Sequence, residues 1–243
     1  MNNPHIFPIL ILNARPAAGK SEVIDYLTRQ PLPERQRRFH LGELDIIDDF
    51  PMLWTWFEED AILERMGHPR LHTDAEGYFK WTHLWHLLIE RIGLEYGKRL
   101  RDQPDYHATT TTVIEFSRGS EHGGYAAAYE HLSPAILERG AALYINVSFE
   151  ESLRKNRARR NPDRLDSILE HSLSDEKMRR LYGEDDWAAF TADNPASVSV
   201  KGLDVPYVVF ENEDDVTTPR GEALGERLET TLDQLWSRRQ AQG

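Results

Sequence analysis

The sequence contains no cysteine among its 243 residues. This absence excludes disulfide-stapled scaffolds, thiolate zinc sites, iron-sulfur clusters and cysteine nucleophiles. Long hydrophobic runs are also missing near the N-terminus, because the apolar stretch at residues 6–12 is far too short to span a bilayer. The residues before it carry no basic segment of the kind that begins a signal peptide. We therefore expect a cytoplasmic protein.

Basic residues are scarce relative to acidic ones. The chain has 29 Lys and Arg against 41 Asp and Glu, a formal net charge of -12 at pH 7. A field of this sign repels polyanions, so we expect neither a nucleic acid nor a membrane surface as partner. Any phosphate-binding site has to be built locally. A hydrophobic content of 40% is that of an ordinary folded globular chain.

Short apolar runs alternate with helical patterns along the chain. Runs at residues 6–12, 38–41, 109–116, 141–147 and 206–210 predict five strands. Strands that alternate with helices predict an α/β fold with a five-stranded parallel, doubly wound sheet. Residues 54–101 have a helical pattern, which predicts two or three helices between strands two and three. We therefore expect one domain, residues 1–243, with an inserted helical lobe at residues 45–105.

A loop of small residues follows the first predicted strand, from Ala14 to Ser21. Its spacing matches the P-loop pattern GxxxxGK[ST], except that Ala14 replaces the first glycine. In such a loop, backbone N–H groups form an anion-binding nest, Lys20 would reach the β and γ phosphates, and the Ser21 hydroxyl would bind Mg²⁺. The other nucleotide-binding positions predicted here are Arg15, Pro16, Ala17, Ala18 and Gly19. The alternative is a chance turn of small residues.

Three aspartates, Asp45, Asp48 and Asp49, follow the second predicted strand. Phosphoryl transfer needs one carboxylate that takes the proton of the acceptor hydroxyl or positions that hydroxyl in line with the γ phosphate. We assign this catalytic role to Asp48 first and to Asp45 second, because Asp49 could simply cap a helix that begins near Pro51. Asp49 is also a candidate for contacting the acceptor. The alternative is an acidic turn that caps a helix and has no catalytic role.

A carboxylate and an arginine come at the end of the third predicted strand, at Glu115 and Arg118. Ligands of open α/β sheets collect at the carboxyl ends of the strands. Glu115 would hold Mg²⁺ through water or orient the acceptor, and Arg118 would bind a phosphate or the acceptor. The alternative is a solvent-facing Glu115 that pairs with Arg118.

A basic cluster follows the fourth predicted strand. Its members are Arg154, Lys155, Arg157, Arg159, Arg160 and Arg164. Arg154 and Arg157 share one helical face, so both could reach a transferring phosphoryl group and neutralise its charge. The alternative is a solvated basic helix face that pairs with Glu150, Glu151 or Asp163.

Two further features concern ring-shaped ligands. Asn212 ends the fifth predicted strand and would flank the nucleotide base, although turn propensity alone could explain it. Trp54 and Trp85 are candidates for stacking on a ring-bearing acceptor. They belong to an aromatic set in the helical insert, whose alternative role is core packing: Trp54, Trp56, Phe57, Phe79, Trp81 and Trp85.

The strand, the P-loop, the acidic segment, the helical insert and the basic cluster together resemble the P-loop kinase superfamily, especially its nucleotide- and nucleoside-kinase-like members. The resemblance covers nearly the whole chain, and its specific motif is the P-loop. It implies a sheet ordered 2-3-1-4-5, ATP and Mg²⁺ as cofactors, an acceptor bound under the insert, and a basic lid at residues 150–185.

These features predict an ATP- and Mg²⁺-dependent phosphotransferase that acts on a hydroxyl or phosphate of a nucleoside-, nucleotide- or sugar-like acceptor. These features leave the oligomeric state open, with a homodimer as one candidate. One competing hypothesis is a nucleotide-binding switch that acts on a protein partner. Another is a degenerate binding module without turnover, which the intact Lys20 and Ser21 argue against.

Overall fold

The structure, a computed structural model, describes residues 5–159 and 173–242, and these form one six-stranded sheet with helices on both faces. The strands are β1 (Ile9–Ala14), β2 (Glu43–Asp48), β3 (Thr110–Phe116), β4 (Gly140–Asn146), β5 (Ser197–Val200) and β6 (Leu203–Glu211). Their spatial order is β2-β3-β1-β4-β6-β5. The predicted α/β class is confirmed.

The prediction of a purely parallel sheet of five strands in the order 2-3-1-4-5 is wrong, because β5 adds a sixth strand. This strand pairs antiparallel with β6 at one edge of the sheet, so the sheet is mixed. The two strands form a hairpin whose connecting residues, Lys201 and Gly202, have φ values of 54° and 77°, as a tight hairpin turn requires. The sequence did not predict β5, because its four residues alternate Ser and Val and lack the apolar run that indicated the other strands.

The second strand also differs from its prediction at residues 38–41. Arg38 and Phe39 lie instead at the end of a helix, Leu32–Phe39, whose first turn contains Pro33. Proline is well tolerated in a first turn because the N–H groups there have no intrahelical partner. The strand itself is β2, an edge strand in which Ile47 is the one buried residue. Asp45 and Asp48 therefore lie within the strand, not after it.

The central strand β1 shows why the sheet can be buried on both faces. The helices that cover the sheet are α1 (Lys20–Arg29), α2 (Leu32–Phe39), α3 (Asp49–Arg65), α4 (His83–Asp102), α5 (Gly124–His131), α6 (Pro134–Leu137), α7 (Phe149–Ala158), α8 (Asp175–Tyr182), α9 (Trp187–Phe190) and α10 (Glu222–Gln240). Ile9 and Ile11 pack into a core that includes residues of α4, α5 and α9, whereas Leu10 and Leu12 pack into a second core with α1, α2 and α10.

The helical insert between β2 and β3 consists of α3 and α4, and begins at Asp49 because residues 45–48 belong to the sheet. Trp56, Leu84, Trp85 and Leu88 form a small core between its helices. Within the predicted lid at residues 150–185, the structure describes α7 and α8. No helix in the described ranges has the length and apolarity needed to cross a membrane.

Candidate functional site

The P-loop segment lies between β1 and α1. Its last residue before the helix, Gly19, has a φ of 120°, and a Cβ there would lie 2.6 Å from Thr217 Oγ1 and 3.0 Å from Asn212 Nδ2. Only glycine can adopt this positive φ and leave room for Thr217 and Asn212 without strain. Ala14 is the final residue of β1 and is buried in the strand. An alanine is compatible with the loop at that position because the backbone is still extended there.

Side chains from elsewhere in the fold hold the loop in place. Arg15 forms an ion pair of 2.8 Å with Asp185 and donates to the carbonyl oxygens of Tyr182 and Val147. Ser152 Oγ donates to the Pro16 carbonyl oxygen at 2.7 Å. Arg15 therefore anchors the loop and does not line the cleft described below.

Asn212 is fully buried beneath the same loop. Its Nδ2 donates to the Ala18 carbonyl oxygen at 2.8 Å and to Thr217 Oγ1 at 2.9 Å. Lys155 Nζ donates to the same hydroxyl at 3.0 Å. The structure thus places Asn212 under the P-loop backbone and outside the cleft described below, in contrast to the predicted position beside a nucleotide base.

A cleft of about 1090 Å³ runs from the P-loop across the carboxyl ends of β2 and β3 to the helical insert. It brings together ten of the residues to which the sequence assigned a catalytic, binding or metal role: Pro16, Ala17, Lys20, Ser21, Asp48, Asp49, Trp54, Trp85, Glu115 and Arg118. The ones it does not include are Arg15, Ala18, Gly19, Asp45, Arg154, Arg157 and Asn212. The insert end of this cleft, here called the aromatic chamber, is walled by Phe50, Trp54, Phe57, Tyr78, Phe79 and Trp85.

Lys20 lies at the junction between the P-loop and the ends of the strands. Its Nζ donates to Ser117 Oγ at 2.6 Å and lies 3.8 Å from Glu115 Oε1. Burial lowers the pKa of this ammonium, while the charges of Glu115 and Asp48 act in the opposite direction. The ammonium is therefore desolvated and held against acidic groups, an arrangement in which a phosphate would add strong charge-assisted contacts.

Asp48 and Glu115 are neighbours because their Cα positions are paired in the parallel register of β2 and β3. Burial, reinforced by the charges of Glu115 and Asp49, raises the pKa of Asp48 to about 8. Burial likewise raises the pKa of Glu115, against the opposing charge of Lys20. The two carboxyls form a half-buried acidic pair that lines the cleft.

The capping role predicted for Asp49 belongs to Asp48, because Asp48 Oδ1 accepts the N–H of Phe50 at 2.9 Å at the start of α3. Asp48 thus caps a helix and also lines the cleft. Asp49 instead forms a 2.6 Å ion pair with Arg118 Nη1, and both residues are buried. The alternative pairing of Glu115 with Arg118 is not the one observed, since Glu115 lies against Lys20.

Asp45 lies away from this cleft. Its carboxylate pairs with Arg99 Nε at 2.5 Å and accepts the Tyr106 hydroxyl at 2.6 Å. Strand positions whose numbers differ by an odd number face opposite sides of the sheet, and the numbers of Asp45 and Asp48 differ by three. Of these two strand residues, the structure therefore brings Asp48 and not Asp45 to the cleft.

The basic cluster is largely paired with carboxylates. Arg154 contacts Glu151 at 2.6 Å, Arg157 pairs with Asp175, and both arginines are exposed outside the cleft. This matches the alternative of a solvated, paired helix face. Arg160 and Arg164 lie outside the described residues. One member does reach the cleft: Arg159, at the end of α7, which forms a 2.7 Å ion pair with Glu22.

Three of the cleft residues to which the sequence assigned no individual role are Ser117, Arg159 and Tyr182. Ser117 lies between the two residues that were proposed at the end of β3, and Arg159 lies inside the basic cluster, so their neighbourhoods carried a signal. Tyr182 ends α8 in the predicted lid, and no local pattern marks it.

The residues present fit a nucleotide with Mg²⁺. Among the described residues, no group of three or more His, Asp or Glu side chains could hold a metal by itself. Magnesium at nucleotide sites is usually bound through one or two protein groups together with the phosphates. The exposed hydroxyl of Ser21 and the acidic pair at Asp48 and Glu115 supply a donor set of that kind.

Comparison with known proteins adds little. No family model matches the chain, and no curated protein matches it. A solved structure described as "Crystal structure of APE1195" shares 13% sequence identity over 94% of this chain and 98% of that chain, with a TM-score of 0.43. A likeness at this level carries no argument about fold family or function.

Proposed function

We propose that this chain is an ATP- and Mg²⁺-dependent phosphotransferase with a P-loop kinase-like fold, which transfers the γ-phosphoryl group to a small-molecule acceptor. One observation supports the proposal: a buried lysine at the head of α1 and a half-buried carboxyl pair meet in a single cleft, between the P-loop segment and the aromatic chamber. An enzyme that uses ATP in this way would act in the cytoplasm.

The nucleotide end of the cleft would be held by the backbone N–H groups of the P-loop and by Lys20. Arg159, which also lines the cleft, would add a second positive charge on the phosphates. Ser21 would bind Mg²⁺, with Glu115 as the nearby carboxylate. The metal would neutralise phosphate charge when bound.

The acceptor would lie in the aromatic chamber with its nucleophilic oxygen toward Asp48. A general base works best when its pKa lies near the operating pH, and burial places the pKa of Asp48 at about 8. Asp48 would take the acceptor proton as the new bond to phosphorus forms. Lys20 would stay with the phosphates and stabilise the charge that develops there.

The test is acceptor-stimulated ADP release across nucleosides, nucleotides, sugars and aromatic alcohols. We expect at least one class to stimulate turnover, and Asp48→Asn to reduce the stimulated rate by about 10²-fold with ATP affinity nearly unchanged. Asp45→Asn is the matched control, because it lies in the same strand and outside the cleft.

Two results would contradict this proposal. ATP hydrolysis that no acceptor stimulates would favour a regulatory nucleotide-binding switch instead. Equal loss of rate in both aspartate variants would mean that Asp48 has no special role in transfer.

A further inference from the structure

The aromatic chamber contains hydrogen-bonding groups that the proposed transfer chemistry does not use. Its aromatic wall is held rigidly by ring contacts: Phe79 packs at 4.8 Å from Trp85 and at 5.5 Å from Phe57, measured between ring centroids. Aromatic faces of this kind accommodate a flat apolar body. The polar groups that face this body decide which molecule fits.

His122 is the first of these groups and lines the cleft. Its ring stacks on Trp85 at a centroid distance of 3.8 Å, which fixes its orientation. Nδ1 accepts the N–H of Gly119 at 3.2 Å, so the proton of the neutral ring lies on Nε2. Nε2 is buried and has no hydrogen-bond partner among the described residues. A buried N–H without a partner is rare and unfavourable, so an acceptor atom of a ligand would satisfy it.

Tyr182 is the second group and stands at the same wall. Its ring meets that of His122 edge to face, with 5.0 Å between centroids. Within the described ranges its hydroxyl forms no hydrogen bond. Burial raises the pKa of Tyr182 and, together with Arg118, lowers that of His122 to about 3. Both groups are therefore neutral at physiological pH, and the wall they form is polar but uncharged.

The described cations beside the chamber already have partners. Arg118 pairs with Asp49 at 2.6 Å. Lys177 donates to the Gly77 carbonyl oxygen at 3.2 Å and lies over the Tyr78 ring at 5.0 Å. An acceptor that carries a phosphate would have to displace these contacts, whereas an uncharged acceptor would not.

We propose, on the basis of the phosphotransferase function above, that the acceptor is an uncharged alcohol with a planar apolar body and a hydrogen-bond-accepting edge. His122 Nε2–H and the Tyr182 hydroxyl recognise that edge. In the reaction, the alcohol oxygen forms a bond to the γ phosphorus as the bond from that phosphorus to the β–γ bridging oxygen breaks. The hydroxyl proton passes to Asp48, and ADP leaves with the bridging oxygen. This narrows the acceptor from a hydroxyl or phosphate to a hydroxyl.

The test uses two alcohols of the same shape, quinolin-3-ylmethanol and naphthalen-2-ylmethanol, because only the quinoline has an accepting ring nitrogen. Affinity is measured by titration of the full chain without nucleotide. We expect the wild type to bind the quinoline about fivefold to tenfold more tightly, the worth of one hydrogen bond to a buried donor. His122→Phe keeps an aromatic ring and should bring the ratio of the two affinities close to one. His122→Gln, which keeps a hydrogen-bond donor, should retain part of the preference for the quinoline.

His83→Phe is the control, since His83 is exposed and lies outside the cleft. It should preserve the wild-type ratio, and thermal unfolding of each variant checks that it is folded. Equal affinities in the wild type, no binding of either alcohol, or a preference that survives in His122→Phe would overturn the proposal. Tighter binding of quinolin-3-ylmethyl phosphate than of its parent alcohol would also overturn it.

Titration of the wild type with ATP, in the absence of any alcohol, separates the two proposals. Failure of ATP binding would contradict the proposed phosphotransferase function and leave the ligand preference of the chamber unaffected. Normal ATP binding without a preference for the quinoline would contradict only the proposed acceptor class.

Discussion

The two ends of the cleft are built in different ways. The P-loop end comes from one contiguous stretch, residues 14–21, whose spacing alone predicts its conformation. The aromatic chamber is assembled from α3, the segment before α4 and the first turn of α4, and His122 and Tyr182 join it from later parts of the chain. A contiguous site carries its signature in the sequence, whereas a dispersed site exists only after folding. Substitutions confined to one end of the cleft separate the two ends experimentally.

The largest effect on ligand binding is expected from Lys20→Ala. This change removes a desolvated cation from the nucleotide end, so we expect ATP affinity to fall by at least ~2 kcal/mol, about 30-fold. Binding of quinolin-3-ylmethanol in the chamber should change less than twofold. Calorimetric titration with a non-hydrolysable ATP analogue measures the first value. A parallel loss at both ends would show that they are not independent.

Gly19→Ala tests the shape of the P-loop. The added Cβ would meet Thr217 Oγ1 at 2.6 Å in a backbone with φ of 120°, so we expect a loss of unfolding free energy of about 2 kcal/mol. Gly202→Ala is the matched control, because its φ is also positive, at 77°, but nothing lies within 4 Å. It should lose about 1 kcal/mol. Urea unfolding compares them, and equal losses would exclude the contact with Thr217.

Asp48→Asn tests the acidic pair through stability. The pKa of Asp48 is raised to about 8 in the folded state, above ~4 when unfolded, so the native state binds more protons between these values. Wild-type stability should therefore fall as pH rises from 4 to 8. Asparagine cannot ionise and still caps a helix, so the variant should gain on the order of 1–2 kcal/mol at pH 8 and little at pH 4.

Asp45→Asn is the control for that experiment. It removes one partner of the Arg99 ion pair outside the cleft, so it should not gain stability with pH as Asp48→Asn does. Urea unfolding at several pH values gives both curves. A gain for Asp48→Asn that is the same at pH 4 and pH 8 would contradict a buried, proton-binding carboxyl.

The smallest effect is expected from Arg154→Ala. Exposed ion pairs such as that of Arg154 with Glu151 contribute about 0–1 kcal/mol, and the side chain does not line the cleft. ATP affinity should stay within twofold of wild type. Arg159→Ala, in the same cluster but at the cleft, should weaken ATP binding about fivefold. A larger loss of ATP affinity in Arg154→Ala than in Arg159→Ala would instead support a lid role for the exposed face of α7.

The acidic segment shows how far sequence reasoning could go. Three aspartates within five positions indicated a carboxylate at the site, and Asp48 lines the cleft as expected. The roles of Asp45 and Asp49 could not be predicted, because they depend on where β2 begins and ends. Asp45 lies within the strand and faces away from the cleft, whereas Asp49 begins α3. The acidic composition of this edge strand did not reveal its boundaries.

The basic cluster shows the opposite limit. Its composition indicated a phosphate partner for Arg154 and Arg157, but Arg154 pairs with Glu151 of its own helix and Arg157 pairs with Asp175 of α8. A shift of half a helical turn separates these residues from Arg159, the member that reaches the cleft. Helical spacing predicts which residues share a face, but not which way that face points.

The sequence by itself determined the α/β class and the position of the loop of small residues between β1 and α1, because both depend on local patterns: a buried apolar strand followed by small residues, a lysine and a serine. The tertiary structure alone decided that the sheet gains an antiparallel edge strand, that Asp48 and Glu115 meet, and that His122 and Tyr182 share a wall. These outcomes depend on strand register and helix packing, which bring distant residues together through contacts that no local pattern encodes.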